Sequence, residues 1–271
     1  MPETRAAPVT VPAVRDTKRR AGHDPLVMVT AYDTPSARIA DAAGVDLVLV
    51  GDSVANNVLG HEDTLRVTMD DMVHHTAAVA RARPRPLVVG DLPWMSYHLD
   101  PADTVRNGAR LIRAGAEAVK LEGGVRRTPM IEALVAAEIP VMGHLGLTPQ
   151  SVNAMGGYRV QGRDPAAAHA LAIEAKSLAA AGCFAVVIEG VPESVGAAIT
   201  DSLDVPTIGI GAGSHCDGQV LVFHDLLGFN PTTPKFVRRY ADLGAQATAA
   251  VGAFAADVRA GTFPGDAEVY H

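Results

Sequence analysis

The chain has 271 residues, 48% of them hydrophobic, with 23 basic against 30 acidic side chains and a net charge of −7. Those charges are spread along the chain and favour neither nucleic acid nor an anionic membrane as partner. No window approaches the ~20 apolar residues of a membrane span, and the first twenty residues hold no apolar signal core. A cytoplasmic protein is expected, and its two cysteines form neither a disulfide framework nor a thiolate metal site. Cys183 reads as a buried structural thiol and Cys216 as an incidental loop residue.

Residues 1–24 read as an N-terminal arm. Eight short apolar runs follow: Leu26 to Thr30, Asp46 to Val50, Leu87 to Gly90, Ala118 to Leu121, Pro140 to Gly143, Phe184 to Ile188, Pro206 to Ile210 and Val220 to Phe223. They are continuously apolar, as parallel strands covered on both faces are. Helical spacing fills the intervals, as in Met69 to Arg83, Pro101 to Ala114 and Pro165 to Ala181. Thr68, Asp100 and Asp164 stand at their starts as N-caps. Only Gly211 to Gln219 separates the last two runs, so a helix there is missing or very short, and Lys235 to Ala260 reads as closing helices.

The pattern predicts an α/β protein of (β/α)8 TIM-barrel type. It comprises the arm (1–24), a barrel with its closing helices (25–260) and a tail (261–271). A doubly wound open sheet is the rival, weakened by the lack of a Gly-rich nucleotide turn after the first strand.

In such barrels catalytic groups come from the C-terminal ends of several strands. The polar residues there are Tyr32 and Asp33, Asp52 and Ser53, Asp91, Lys120 and Glu122, His144, and Glu189. Singly, an acid at a strand end is as well explained as the cap of the next helix, Asp33 and Asp91 included. Together, Asp52, Asp91, Glu122 and Glu189 would repel one another unless a cation sat among them. An all-oxygen set favours Mg²⁺ over Zn²⁺. Lys120 suits a substrate carboxylate or oxyanion, with a salt bridge to a barrel acid as the plainer alternative. His74, His75, His98 and His215 read as solvated or packing residues.

Six segments carry a resemblance to a known family: MVTAYDTPSARIADAAGVDLVLVGDS, TLRVTMDDMVHHTAAVARA, LVVGDLPWMSY, AVKLEGG, IPVMGHLGLTPQSVNAMGGYRVQGR and IGIGAGSHCDGQVLVFHDLLGF. In this order and at these intervals, from about Met28 to Tyr240, the chain resembles the ketopantoate hydroxymethyltransferases. The resemblance implies a barrel of the phosphoenolpyruvate/pyruvate superfamily. It also implies transfer of a one-carbon unit from 5,10-methylenetetrahydrofolate to 3-methyl-2-oxobutanoate through a Mg²⁺-stabilised enolate, giving 2-dehydropantoate on the path to pantothenate and coenzyme A.

Carried over residue by residue, the resemblance makes Asp52 and Asp91 metal ligands, with Glu122 in the metal's outer shell. It seats the 2-oxo acid's carboxylate on Ser53 and Lys120, makes Glu189 the base and has His144 line the site. It further implies a homo-oligomer, a decamer. The chain departs from the family pattern at Gly190, at His61-Glu62-Asp63 and at Asp266 to Tyr270. The rivals are a metal-dependent 2-oxo acid lyase or aldolase, a relative acting on another 2-oxo acid, and a barrel kept as a scaffold.

Overall fold

In the computed structural model, which describes residues 7–18, 22 and 24–271, eight parallel strands close into a barrel in chain order. They are β1 (Leu26–Thr30), β2 (Leu47–Val50), β3 (Leu87–Asp91), β4 (Ala118–Glu122), β5 (Val141–Gly146), β6 (Ala185–Glu189), β7 (Thr207–Ile210) and β8 (Gly218–Leu221). Leu26 opposite Gly218 begins the β1–β8 pairing that closes the ring. A side chain at 218 would drive its Cβ to 2.6 Å from the Leu26 carbonyl oxygen, so glycine permits this contact.

Alternate residues of a strand face one side, and in a small barrel the inward ones fill the interior in layers. Leu26 and Met28, Leu47 and Leu49, Leu87 and Val89, Ala118, Met142, Ala185 and Val187 make that core. The same alternation, carried one rung toward the strand C-termini, reaches Thr30, Gly51, Asp91, Lys120, His144 and Glu189. The polar site therefore continues the apolar core by the same period of two.

Strands β3 to β6 run further than the apolar runs predict. Asp91, Glu122, His144 and Glu189 do not follow the strands; they lie within them, paired in the ladder as Asp91 with Lys120, Glu122 with His144 and Gly146 with Glu189. Parallel pairing depends on backbone groups, so a charged side chain ends an apolar run without ending the strand.

The helices are α1 (Val11–Asp16), α2 (Thr34–Ala42), α3 (Met69–Ala80), α4 (Pro101–Ala114), α5 (Thr128–Ala136), α6 (Val152–Met155), α7 (Pro165–Ala180), α8 (Glu193–Ser202), α9 (Phe223–Leu226) and α10 (Leu243–Ala260). Thr68, Asp100 and Asp164 cap α3, α4 and α7 as expected, each side chain accepting from a backbone N–H of the first turn. No helix separates β7 from β8. Cys183 and Cys216 are both buried, so Cys216 is not an incidental loop residue. Its Sγ lies 3.0 Å from where a Cβ on Gly209 would stand, packed beneath β7.

Part of the arm has a definite place, although residues 1–6, 19–21 and 23 lie outside the described residues. Val14 of α1 is fully buried in the core with Leu26, Leu47 and Leu87, the first residues of their strands, and Val9 and Val11 pack beside it. The arm thus floors the barrel at the end opposite the acids. Beyond α1, the buried ammonium of Lys18 donates to Asp217 Oδ2 at 2.6 Å and to the Thr200 carbonyl at 3.0 Å. Asp217 Oδ2 also accepts from the backbone N–H of Thr207 at 2.9 Å.

The chain parts into two compact units, Met1–Val222 and Phe223–His271. In the second, α10 has no buried residue, and Val251, Phe254 and Val258 are exposed at helical spacing.

Candidate active site

Asp52 follows β2 in a turn that leads into a short π-helical stretch, Ala55–Leu59, a local irregularity frequent at functional sites. Its backbone N–H donates to Asp91 Oδ2 at 3.2 Å, and its own Oδ2 accepts from Gln150 Nε2 at 2.9 Å. Asp91 Oδ2 also receives the Lys120 ammonium at 2.9 Å. The other oxygen of Asp91, Oδ1, is buried without a protein hydrogen-bond partner. Each aspartate therefore has one oxygen held by the protein, and buried acceptors left unpaired are costly without a ligand.

That geometry bears on Mg²⁺. Among the described residues no group of three or more His, Cys, Asp or Glu is gathered as a metal cage. Mg²⁺ does not need one, since it is commonly held by one or two carboxylates with water and substrate completing its shell. Two neighbouring aspartates, one with an orphaned buried oxygen, fit such an ion.

Burial, then repulsion from Asp91 and Glu122, lifts the Asp52 carboxyl well above the ordinary carboxylate range. Burial likewise raises Asp91, against the pull of Lys120. Burial works against the charge on Lys120, but Asp91, Glu122 and Asp52 outweigh it and hold the ammonium above its usual value. The lysine is thus both a salt-bridge partner and the only amine among these acids in the site described here.

His144 links the remaining two acids. Its Nε2 lies 3.1 Å from Glu189 Oε2 and its Nδ1 3.3 Å from Glu122 Oε1. Nδ1 is also 3.2 Å from Lys120 Nζ, so this nitrogen accepts from lysine when neutral and donates to Glu122 when protonated. Burial and Lys120 push the imidazole down, yet Glu122 and Glu189 outweigh them and hold it at about 9. Burial would raise Glu122 too, but His144 and Lys120 carry it below its ordinary value. Glu189 therefore has an imidazole as its neighbour.

Ser53 Oγ is 2.8 Å from the Tyr32 hydroxyl, which Thr30 Oγ1 approaches at 3.0 Å, so the serine is fixed from β1. Asp33, by contrast, caps α2: its Oδ1 accepts from the Ser36 N–H at 2.8 Å. It takes no part in the mouth. Of the four other histidines considered, His75 Nδ1 meets the Tyr32 carbonyl at 2.7 Å and His98 Nδ1 accepts from the Met95 N–H at 3.2 Å, both supporting loops beside the site.

The charged strand ends conceal two neutral residues. Gln150, just after β5, and Tyr97, in the loop after β3, are buried and join Asp52 to Glu122. Their only sequence signal is membership of the TPQSV and LPWMSY segments. Two glycines set the backbone around the base. Gly146, at φ +90°, passes so close to the Glu189 carbonyl oxygen that a Cβ would lie 2.1 Å from it. Gly190, at φ +56°, holds a left-handed turn that costs glycine little.

Known proteins share this arrangement of chain and fold. Residues 8–266 match the family model described as ketopantoate hydroxymethyltransferase. The 3-methyl-2-oxobutanoate hydroxymethyltransferase of Methylobacterium sp. (strain 4-46) is 58% identical over 246 residues, 90% of this chain and 85% of that protein. That of Oleidesulfovibrio alaskensis is 56% identical over 265 residues, 97% and 90% of the respective lengths. Among solved structures, 2,3-dimethylmalate lyase, a PEP mutase/isocitrate lyase superfamily member, aligns with a TM-score of 0.61 at 17% identity, covering 96% of this chain and 91% of that one. Phosphonopyruvate hydrolase, solved with oxalate and Mg²⁺, aligns with a TM-score of 0.60 at 14% identity and the same coverage. At these identities the two structures speak to the fold alone.

Proposed function

The chain belongs to the ketopantoate hydroxymethyltransferase family, and from that premise we propose how its barrel mouth performs the family's reaction. The activity is transfer of a hydroxymethyl group to 3-methyl-2-oxobutanoate, giving 2-dehydropantoate for pantothenate biosynthesis. The donor is 5,10-methylenetetrahydrofolate and the metal is Mg²⁺.

Asp52 and Asp91 would hold Mg²⁺, with Glu122 as an outer-shell carboxylate. When bound, the ion supplies Lewis-acid polarisation of the substrate's keto group, which acidifies the neighbouring C–H. Ser53 Oγ and the Lys120 ammonium seat the substrate carboxylate, as a hydroxyl fixed by Tyr32 and a cation bound among acids are suited to do. Glu189 takes the C3 proton onto a carboxylate oxygen, and His144 orients it from the other side. C3 then bonds to the folate's methylene carbon as one of that carbon's two bonds to folate nitrogen breaks. Water supplies the hydroxyl oxygen as the second breaks, the C3 proton and a water proton ending on the two nitrogens of the released tetrahydrofolate.

The observation that carries this reading is the division of the mouth into two halves. One half is an aspartate pair with an orphaned oxygen; the other is a Glu189–His144 pair 3.1 Å apart, suited to moving a proton. Self-association, with the decamer implied by the family as its form, is supported by the exposed row Val251, Phe254 and Val258 on α10, an apolar stripe open to a second copy. A cytoplasmic setting agrees with the metabolic role, and no helix among the described residues is long and apolar enough to cross a membrane.

The test is an assay of 2-oxo acids with each component left out in turn. Hydroxymethyl transfer should require both Mg²⁺ and methylenetetrahydrofolate and should favour 3-methyl-2-oxobutanoate. Carbon–carbon cleavage of a 2-oxo acid product without folate would favour a lyase instead.

A further inference from the structure

We infer that Gln150 is a positioning residue for the metal ligand Asp52, and that Tyr97 acts on Asp52 through it. The inference rests on the reading of Asp52 and Asp91 as the Mg²⁺ ligands.

Both side-chain polar atoms of Gln150 and its backbone N–H are engaged. Its Nε2 donates to Asp52 Oδ2 at 2.9 Å and to the Leu92 carbonyl at 3.0 Å, and its backbone N–H donates to Glu122 Oε2 at 3.0 Å. Its Oε1 accepts from the Tyr97 hydroxyl at 2.6 Å. The Leu92 carbonyl can only accept, so the atom facing it and Asp52 is the NH₂ group, which fixes the orientation of the amide. The Tyr97 hydroxyl completes that arrangement by donating to Oε1, whereas a flipped amide would set Oε1 against the oxygens of Asp52 and Leu92. Tyr97 itself accepts from the Glu122 N–H at 3.2 Å, and both Tyr97 and Gln150 are buried.

An amide is well suited to this place. It donates to Asp52 without adding charge where Asp91 and Glu122 already oppose its ionisation. With Oδ2 held in this way, Oδ1 of Asp52 would be the oxygen offered to the ion, as the unpaired Oδ1 of Asp91 would be. Partners that orient ligands in this way typically contribute about 10- to 100-fold to metal affinity. The segment after β5 is thereby tied to the ends of β2, β3 and β4, so the metal-binding geometry depends on a neutral residue.

The test measures Mn²⁺ binding by electron paramagnetic resonance, with Mn²⁺ alone as the probe and no substrate present. Gln150→Met keeps the length of the side chain and removes its donors. It should weaken Mn²⁺ binding about 10- to 100-fold while the melting temperature in excess EDTA falls much less than that of a core truncation. Tyr97→Phe should weaken binding in the same direction by less. It should add nothing in the Gln150→Met background if Tyr97 works through Gln150. Wild-type Mn²⁺ affinity in Gln150→Met would overturn the inference, and a full additional effect of Tyr97→Phe in that background would overturn the link between the two. Asp52→Asn separates this from the underlying reading. If it alone binds Mn²⁺ like wild type, the assignment of the ligand fails; if it loses the ion while Gln150→Met keeps it, only the positioning role fails.

Discussion

The backbone N–H of Asp52 donates to Oδ2 of Asp91, 3.2 Å away, so the two aspartates are joined before any ligand arrives. They are nevertheless unequal. Asp91 is the counter-ion of buried Lys120, whereas Asp52 is opposed by Asp91 and Glu122. Neutralising each should abolish Mg²⁺ binding with opposite effects on the metal-free fold. Asp52→Asn relieves repulsion and should gain about 1 kcal/mol, or roughly 2–4 °C in melting temperature for a chain of this size. Asp91→Asn strips a buried lysine of its closest partner and should lose about 3 kcal/mol. Urea unfolding in EDTA reads both, and a shift of the same sign in the two variants would count against this division.

Lys120→Ala should raise the KM for the 2-oxo acid about 10- to 100-fold, the value of one charge-assisted contact. The KM for methylenetetrahydrofolate should change far less, because only the oxo acid loses its counter-charge. Steady-state kinetics with each substrate varied in turn decides it; equal rises would make Lys120 a structural ion pair.

If Glu189 removes the C3 proton, the enzyme with Mg²⁺ and 3-methyl-2-oxobutanoate in D₂O should exchange that proton without folate. Glu189→Gln should slow exchange and transfer together by about 10²- to 10⁴-fold while the oxo acid still binds. Proton NMR of the C3–H signal follows the exchange. Undiminished exchange would transfer the base's role to another group, with His144 nearest at hand.

The Asp52 carboxyl also sets a pH dependence. Its value in the folded, metal-free protein lies well above the ordinary 3.8. The unfolded chain therefore gives up its proton first as pH rises, and the metal-free fold loses stability from about pH 4 up to the raised value. Mg²⁺ must displace that proton, so a fixed Mg²⁺ concentration should raise the melting temperature by more as pH climbs from about 4 through the raised value. Differential scanning calorimetry with and without Mg²⁺ across a pH series checks this, and a rise that shrinks with increasing pH would contradict it.

Much of this architecture was legible in the chain because its determinants are local. Continuous Val, Leu and Ile runs mark strands buried on both faces, and Asp100 and Asp164 announce helix starts within three residues of the bonds they make. The acids at the strand ends could be collected for the same reason, since strand order alone brings them to one mouth. What escaped the reading depends on distant partners. Gln150 carries no charge to draw attention, and its bond to Asp52 spans 98 residues. Asp33 and Asp91 look alike in sequence, yet one turns to its own helix and the other inward to Lys120. The arm gave no sign of its partner, because the core that accepts Val14 is assembled from strands throughout the barrel.

The bond between Lys18 and Asp217 spans 199 residues, and β1 waits for β8 across nearly the same interval. At a synthesis rate of about 5–20 residues per second, the ribosome adds that interval in roughly 10–40 s. Throughout that time the emerging polypeptide exposes the open edge of β1, an apolar floor and a lysine without its aspartate. Ring closure must then come after translation of the last strand, so nascent molecules present an adhesive edge that mature ones lack. Synonymous codon changes that slow translation between β7 and β8 would lengthen this exposure, with yield of soluble protein as the quantity that suffers while the finished molecule stays the same.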